Sequence, residues 1–185
     1  MKDKTEQILK ASINVFIKKG YIAATTKEIA EKANVAEVTL YRKFQTKQNL
    51  FEQSVKSVIE DRFSEVLDFN ENVNINTFIK QLLDNRLLVI SKNIKVVRML
   101  ISESIVGNLP AQLRFTYVIF NNVSLAIKKY FMTNNITTDY QAYSKVIGGI
   151  LLGYAILPNK NYYHKLSEKE KEIFLDNYLN IITNK

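Results

Sequence analysis

Cysteine is absent from these 185 residues. That excludes disulfides, a thiolate metal site and a thiol nucleophile, and it fits a reducing compartment. Histidine occurs once, as His164 in a polar loop, where exposure is expected. One imidazole without thiols offers no transition-metal site, so no metal is expected. Long apolar runs are missing too. The longest, from Val146 to Pro158, falls short of the ~20 residues a membrane helix needs. The first residues carry Lys and Asp and do not resemble a signal peptide. A soluble, cytoplasmic protein without membrane partners is the expectation. No nucleophile–base pairing, phosphate loop or paired-carboxylate motif can be defended, so neither an enzyme nor a cofactor is expected.

Glycine occurs five times and proline twice. Few breaks, with apolar spacing helical nearly everywhere, predict an all-α fold of about nine helices. Four stretches have capping-box form: Asp3-x-x-Glu6, Thr25-x-x-Glu28, Thr138-x-x-Gln141 and Ser167-x-x-Glu170. Thr46 can cap a further start, and Gly20 suits the left-handed residue that closes a helix. The predicted helices lie near 3–19, 26–33, 37–43, 47–68, 76–91, 94–106, 110–133, 139–157 and 168–183. Helix length changes sharply after Phe44. The expected division is a small module over 1–46 and a larger helical domain over 47–185.

What the chain does have is positive charge. The net charge is +8. Residues 1–50 hold ten Lys/Arg against five Asp/Glu, a balance of +5. The remaining residues hold 16 against 13, a balance of +3. The basic end is therefore the first quarter, which points to nucleic acid.

Within that quarter, helices 26–33 and 37–43 are separated by about three residues, the spacing of a helix-turn-helix. Ala30 sits where the first helix must let the second approach. Asn34 falls where the turn wants a left-handed backbone, which Asn adopts more readily than most residues. Val35 plugs the turn, and Leu40 and Phe44 point to a core closed by Ile8, Ala11, Ile13, Val15 and Phe16. With Leu40 and Phe44 inward, Glu37, Thr39, Tyr41 and Arg42 cannot all be buried. A short helix presenting its front half is how such motifs enter a DNA major groove.

The segment "TTKEIAEKANVAEVTLYRKFQTKQNLF" resembles the DNA-binding segment of the tetracycline-repressor (TetR) family. The similarity covers roughly residues 5–52. Its T-L-Y-x-x-F-x-x-K core with the preceding T-x-x-x-I-A is a specific signal. Ala36 stands where the family often has a Ser cap, and Asn34 where Gly is common. The resemblance implies an N-terminal DNA-binding domain and a C-terminal bundle for ligand binding and dimerisation.

Physics and the resemblance together give expected DNA contacts. Thr26 and Lys27 open the first helix of the motif, where free N–H groups favour phosphate. Thr39, Tyr41 and Lys47 have the reach and chemistry for phosphate oxygens. Base reading falls to Glu37, Val38 and Arg42, with Lys27. Glu37 has an alternative role as a charge favouring its helix start, and Tyr41 as a core aromatic.

Beyond residue 47, the bundle can enclose a pocket. The resemblance implies an inducer pocket, with Phe78, Leu82, Arg86 and Met99 as candidates, together with Glu103, Phe115, Tyr117 and Phe120. Plain core packing is the alternative for the apolar ones, and pairing or water for Arg86 and Glu103. Helix 139–157 contains Gly148, Gly149 and Gly153, each costing nearly 1 kcal/mol, which suggests close helix approach. Ile147, Ile150, Leu151 and Tyr154, with Phe174, Tyr178 and Ile181, form the expected four-helix dimer interface. Intrachain packing is the alternative.

These observations lead to a homodimeric, ligand-released repressor that binds a palindromic double-stranded operator and an apolar small-molecule effector. The rival is a helical ligand carrier or scaffold without DNA binding.

Overall fold

The computed structural model describes residues 4–63, 73–109, 114, 117 and 120–183, with side chains for all of these but 59–63 and 183. Among them are nine α-helices and no strand. These are α1 (Thr5–Ala23), α2 (Thr26–Lys32), α3 (Glu37–Phe44), α4 (Lys47–Phe63), α5 (Ile75–Lys92), α6 (Ile94–Ile105), α7 (Asn121–Thr133), α8 (Tyr140–Ile156) and α9 (Glu168–Thr183). One 3-10 turn covers Tyr163–Lys165. The predicted helices 47–68 and 110–133 are described as far as α4 and α7; the remaining stretches lie largely outside the described residues, as does Asp3 of the first capping box.

The helix starts follow side-chain chemistry. Thr25 Oγ1 accepts from the Glu28 N–H at 3.2 Å, and Thr46 Oγ1 from the Asn49 N–H at 3.0 Å. At α9 both arms of the capping box are present. The Ser167 N–H donates to Glu170 Oε2 at 2.8 Å, and the Glu170 N–H to Ser167 Oγ at 3.4 Å. The Ser167 hydroxyl, which also donates to Glu170 Oε2 at 2.7 Å, and then the Ser167 N–H hold the Glu170 carboxyl below its ordinary pKa. One expectation is corrected. The cap of α8 is Asp139, whose Oδ1 accepts from the Gln141 N–H at 2.8 Å, in place of Thr138. The shorter Asx bond reaches the helix one residue later.

The ends are equally specified. After α2, the Val35 N–H donates to Ala30 O and the Asn34 N–H to Glu31 O, both at 3.0 Å. Asn34 has φ 49°. This is a Schellman closure, with Asn supplying the left-handed residue. Asn135 and Gly107 end α7 and α6 in the same way, at φ 53° and 76°. Gly20 behaves otherwise than expected. It bends α1 (φ 74°, ψ 175°) and the helix resumes to Ala23.

The described helices fall into two compact units. The first draws on residues 1–62 and 95–115, so it holds α1 to α4 and α6. Ile8, Phe16, Ile29, Leu40, Phe44, Leu50 and Phe51 form its apolar interior. The rings of Phe16, Tyr21 and Phe51 meet edge-on or stacked at 4.8–6.2 Å. Glu103, buried on α6, accepts from the Tyr21 N–H at 2.9 Å through Oε1 and from Asn108 Nδ2 at 2.8 Å through Oε2. It thereby satisfies a backbone donor that the Gly20 bend releases from α1.

The second unit holds α5 and α7 to α9. Here α5 packs on α8 and α9, and α7 on α8. Phe78 stacks on Tyr130 at 4.0 Å. The segment after α8 is pinned by polar bonds: Tyr163 Oη donates to Asp84 Oδ1 at 2.6 Å, and Tyr154 Oη accepts from the Tyr163 N–H at 2.7 Å. Burial, then the Asp84 bond, push the Tyr163 phenol far above its usual pKa. His164 is not freely exposed, contrary to expectation. Its N–H donates to Ser91 Oγ at 2.8 Å, and its Nδ1 lies 2.5 Å from the same oxygen.

Candidate nucleic-acid interface

The recognition element is α3, eight residues long. Leu40 and Phe44, four apart, are buried and fix the rotation of the helix. The opposite positions must then face outward. Val38 is 73% exposed, and Arg42, four residues on, is exposed on the same face. Lys27, second residue of α2, is exposed as well. Ala36 caps α3 with no side-chain bond.

Glu37 and Tyr41 occupy the neighbouring face and converge on one group. Thr26 Oγ1 donates to Glu37 Oε1 at 2.7 Å and lies 3.1 Å from Tyr41 Oη. Thr26 is only 9% exposed, whereas Tyr41 is 46% exposed. The start of α2 is thus tied to the first and second turns of α3. Thr39 is half-buried on α3. Lys47, expected on phosphate, is turned inward in this state. Its Nζ donates to Ile22 O at 3.0 Å and lies 4.9 Å from the Tyr21 ring centre. Burial lowers its pKa, partly offset by the Glu103 carboxylate. Lys43 is exposed and donates to Thr5 Oγ1 at 2.9 Å.

The other expected pocket residues are divided between the two units. Phe78, Leu82 and Arg86 are interior residues of α5, in the second unit. Arg86 is 1% exposed, so it does not face water. Met99 and Glu103 belong to the first unit and line a cleft of about 360 Å³ with Ile17, Gly20, Lys95, Arg98 and Ser102. Sequence reading named Met99 and Glu103 for a pocket but not Ile17 and Gly20, which come from the distant α1. Tyr117 is 53% exposed and Phe120 half-buried, while Phe115 lies outside the described residues.

The expected interface set needs correction in part. Ile147, Leu151 and Tyr154 are buried inside their own chain, so they have no surface left for a second copy. Ile150, Phe174 and Tyr178 are half-buried, and Ile181 is 78% exposed. The apolar residues that α8 and α9 leave exposed include Val146 and Ile156 on α8 and Ile173 and Ile181 on α9. Gly148 has a reason of its own: a Cβ there would meet the Phe120 ring at 3.0 Å. Among the described residues, no helix is long and apolar enough to cross a membrane.

Residues 8–53 match the family model "Bacterial regulatory proteins, tetR family". An uncharacterized HTH-type transcriptional regulator of Bacillus subtilis, YvkB, is 54% identical over 52 residues, 28% of each chain. The Staphylococcus aureus regulator IcaR, a negative transcriptional regulator of the biofilm operon icaADBC, is 36% identical over 72 residues, 39% of this chain and 37% of its own. The chain thus matches less than two fifths of the length of either relative. In fold the likeness extends further. FadR of Bacillus subtilis, solved in complex with stearoyl-CoA, has a TM-score of 0.70 at 14% identity and covers 97% of both chains. The described helices therefore share one fold with such regulators from end to end.

Proposed function

Residues 8–53 match the model of the tetR family of bacterial regulatory proteins, and from that premise we propose that the chain belongs to this family and is a sequence-specific DNA-binding regulator of transcription. It acts as a homodimeric repressor released by a small, largely apolar ligand. The carrying observation is the outward pair Val38 and Arg42 on a helix anchored by buried Leu40 and Phe44. Val38 can pack on a thymine methyl and Arg42 can pair with guanine or phosphate, with Lys27 beside them. Residues 1–46 supply the DNA-binding domain, and residues 47–185 bind the ligand and the second copy.

Two recognition helices would enter successive major grooves about 34–36 Å apart on a near-palindromic site. The exposed apolar residues of α8 and α9 support self-association. IcaR's negative regulation and FadR's acyl-CoA complex support repression and ligand release by likeness only. A ligand would act by favouring one shape over the DNA-bound one.

Selection of bound duplexes from a random pool tests this reading. An enriched palindrome, with affinity falling steeply as salt rises, is the expected result. A chain that enriches nothing and ignores duplex in dilute buffer would favour the helical carrier or scaffold.

A further inference from the structure

Two hydroxyls with the reach for phosphate, on Thr26 and Tyr41, already have their protons assigned. Thr26 Oγ1 lies 2.7 Å from Glu37 Oε1 and 3.1 Å from Tyr41 Oη. Each hydroxyl has one proton, and a carboxylate only accepts. The Thr26 proton therefore goes to Glu37, and the Tyr41 proton goes to Thr26 Oγ1. What Tyr41 offers outward is a lone pair. A phosphate oxygen also only accepts, so Tyr41 has nothing to give it while this relay stands. The inner bond is charge-assisted and shielded, with Thr26 9% exposed, so it fixes the Thr26 proton on Glu37 and keeps Thr26 Oγ1 an acceptor for Tyr41.

We propose that Glu37 sets DNA affinity without reading a base: through Thr26 it withholds the Tyr41 hydroxyl from the DNA backbone and so weakens binding to duplex of any sequence. Non-specific affinity rests on phosphate contacts. Glu37 weakens that part twice, by its charge and by accepting the Thr26 proton, which leaves Thr26 Oγ1 to take the Tyr41 proton. Contacts made by Val38 and Arg42 to base edges are untouched. Because phosphate contacts are independent of sequence, specific and non-specific affinities fall together. Glu37 is a positioning residue in this scheme. The proposal rests on the DNA-binding reading above.

The test uses the full chain and a fluorescent duplex of random sequence. Glu37→Gln keeps an acceptor for Thr26 but removes the charge; Glu37→Ala removes both. Glu37→Gln should tighten binding about threefold and Glu37→Ala about tenfold, the difference being the freed hydroxyls. Tyr41→Phe should change affinity less than about twofold in the wild-type background but weaken it about fivefold beside Glu37→Ala, a coupling that charge alone does not produce. Equal loss from Tyr41→Phe in both backgrounds overturns the proposal, as do identical affinities for the two Glu37 variants.

A second cycle needs no DNA. Thr26→Val and Tyr41→Phe should lower the melting temperature of the free protein by less together than the sum of their separate effects. Additive shifts overturn the relay. A wild-type chain without duplex affinity overturns the regulator reading and this proposal with it; a chain that binds duplex but shows additive cycles overturns this proposal alone.

Discussion

Gly20 holds a positive-φ backbone position in the first unit. Its φ of 74° is one that L side chains rarely adopt, and a Cβ there would lie 2.5 Å from Glu103 Oε1. Gly20→Ala should therefore cost about 1–2 kcal/mol from the backbone alone and more from the displaced carboxylate. Urea unfolding monitored by circular dichroism would read it. At Glu170 the expected effect is on titration. Its folded pKa is depressed by the Ser167 bonds, so the contribution to stability is present above the ordinary carboxylate pKa and is lost as pH falls through the folded value. The side-chain carbon resonance of Glu170 should titrate at lower pH than that of a free glutamate. In Ser167→Ala the midpoint should move back up; an unmoved midpoint would show that the box does not act in solution.

Among the elements, α8 tests the corrected cap. Asp139→Ala should destabilise by about 1 kcal/mol, whereas Thr138→Ala should change little, because only Asp139 meets a free N–H. Equal losses in denaturant midpoint would restore the Thr138 box. The link between α1 and α6 is a second case. Glu103→Ala leaves the Tyr21 N–H and the Asn108 amide without their acceptor and should cost about 1–3 kcal/mol. Glu103→Gln, which keeps one acceptor oxygen, should lose less. Backbone amide exchange at Tyr21 should rise in Glu103→Ala; an unchanged rate would mean that another group protects it.

For the whole molecule, the buried and exposed sides of α8 make opposite forecasts. Leu151 is fully buried, so Leu151→Ala should cost about 2–5 kcal/mol of folding stability. Val146 and Ile173 are about half exposed, so Val146→Lys with Ile173→Lys should leave folding nearly intact and shift a dimer to monomer. Sedimentation velocity distinguishes the two. If the double variant sediments as the wild type does, that face is not the contact between copies.

Helix positions were legible because local rules agree with the fold: Thr25, Thr46 and Ser167 sit at starts, and Asn34 sits at a left-handed end. The inward residues of the helix-turn-helix were equally clear, since Leu40 and Phe44 lie four apart and fall on one face. The outward Val38 and Arg42 follow from the same geometry. The sequence by itself determined these things, since caps, turns and faces depend on residues within a few positions of each other. Tertiary structure alone decided that Glu103 meets the Gly20 bend, that Ile147, Leu151 and Tyr154 are spent inside their own chain, and that Thr26 joins Glu37 to Tyr41. Glu103 and Tyr21 are 82 residues apart. A carboxylate or a leucine looks the same in sequence whether it serves a partner or its own chain, because that choice is made by whichever distant segment packs against it.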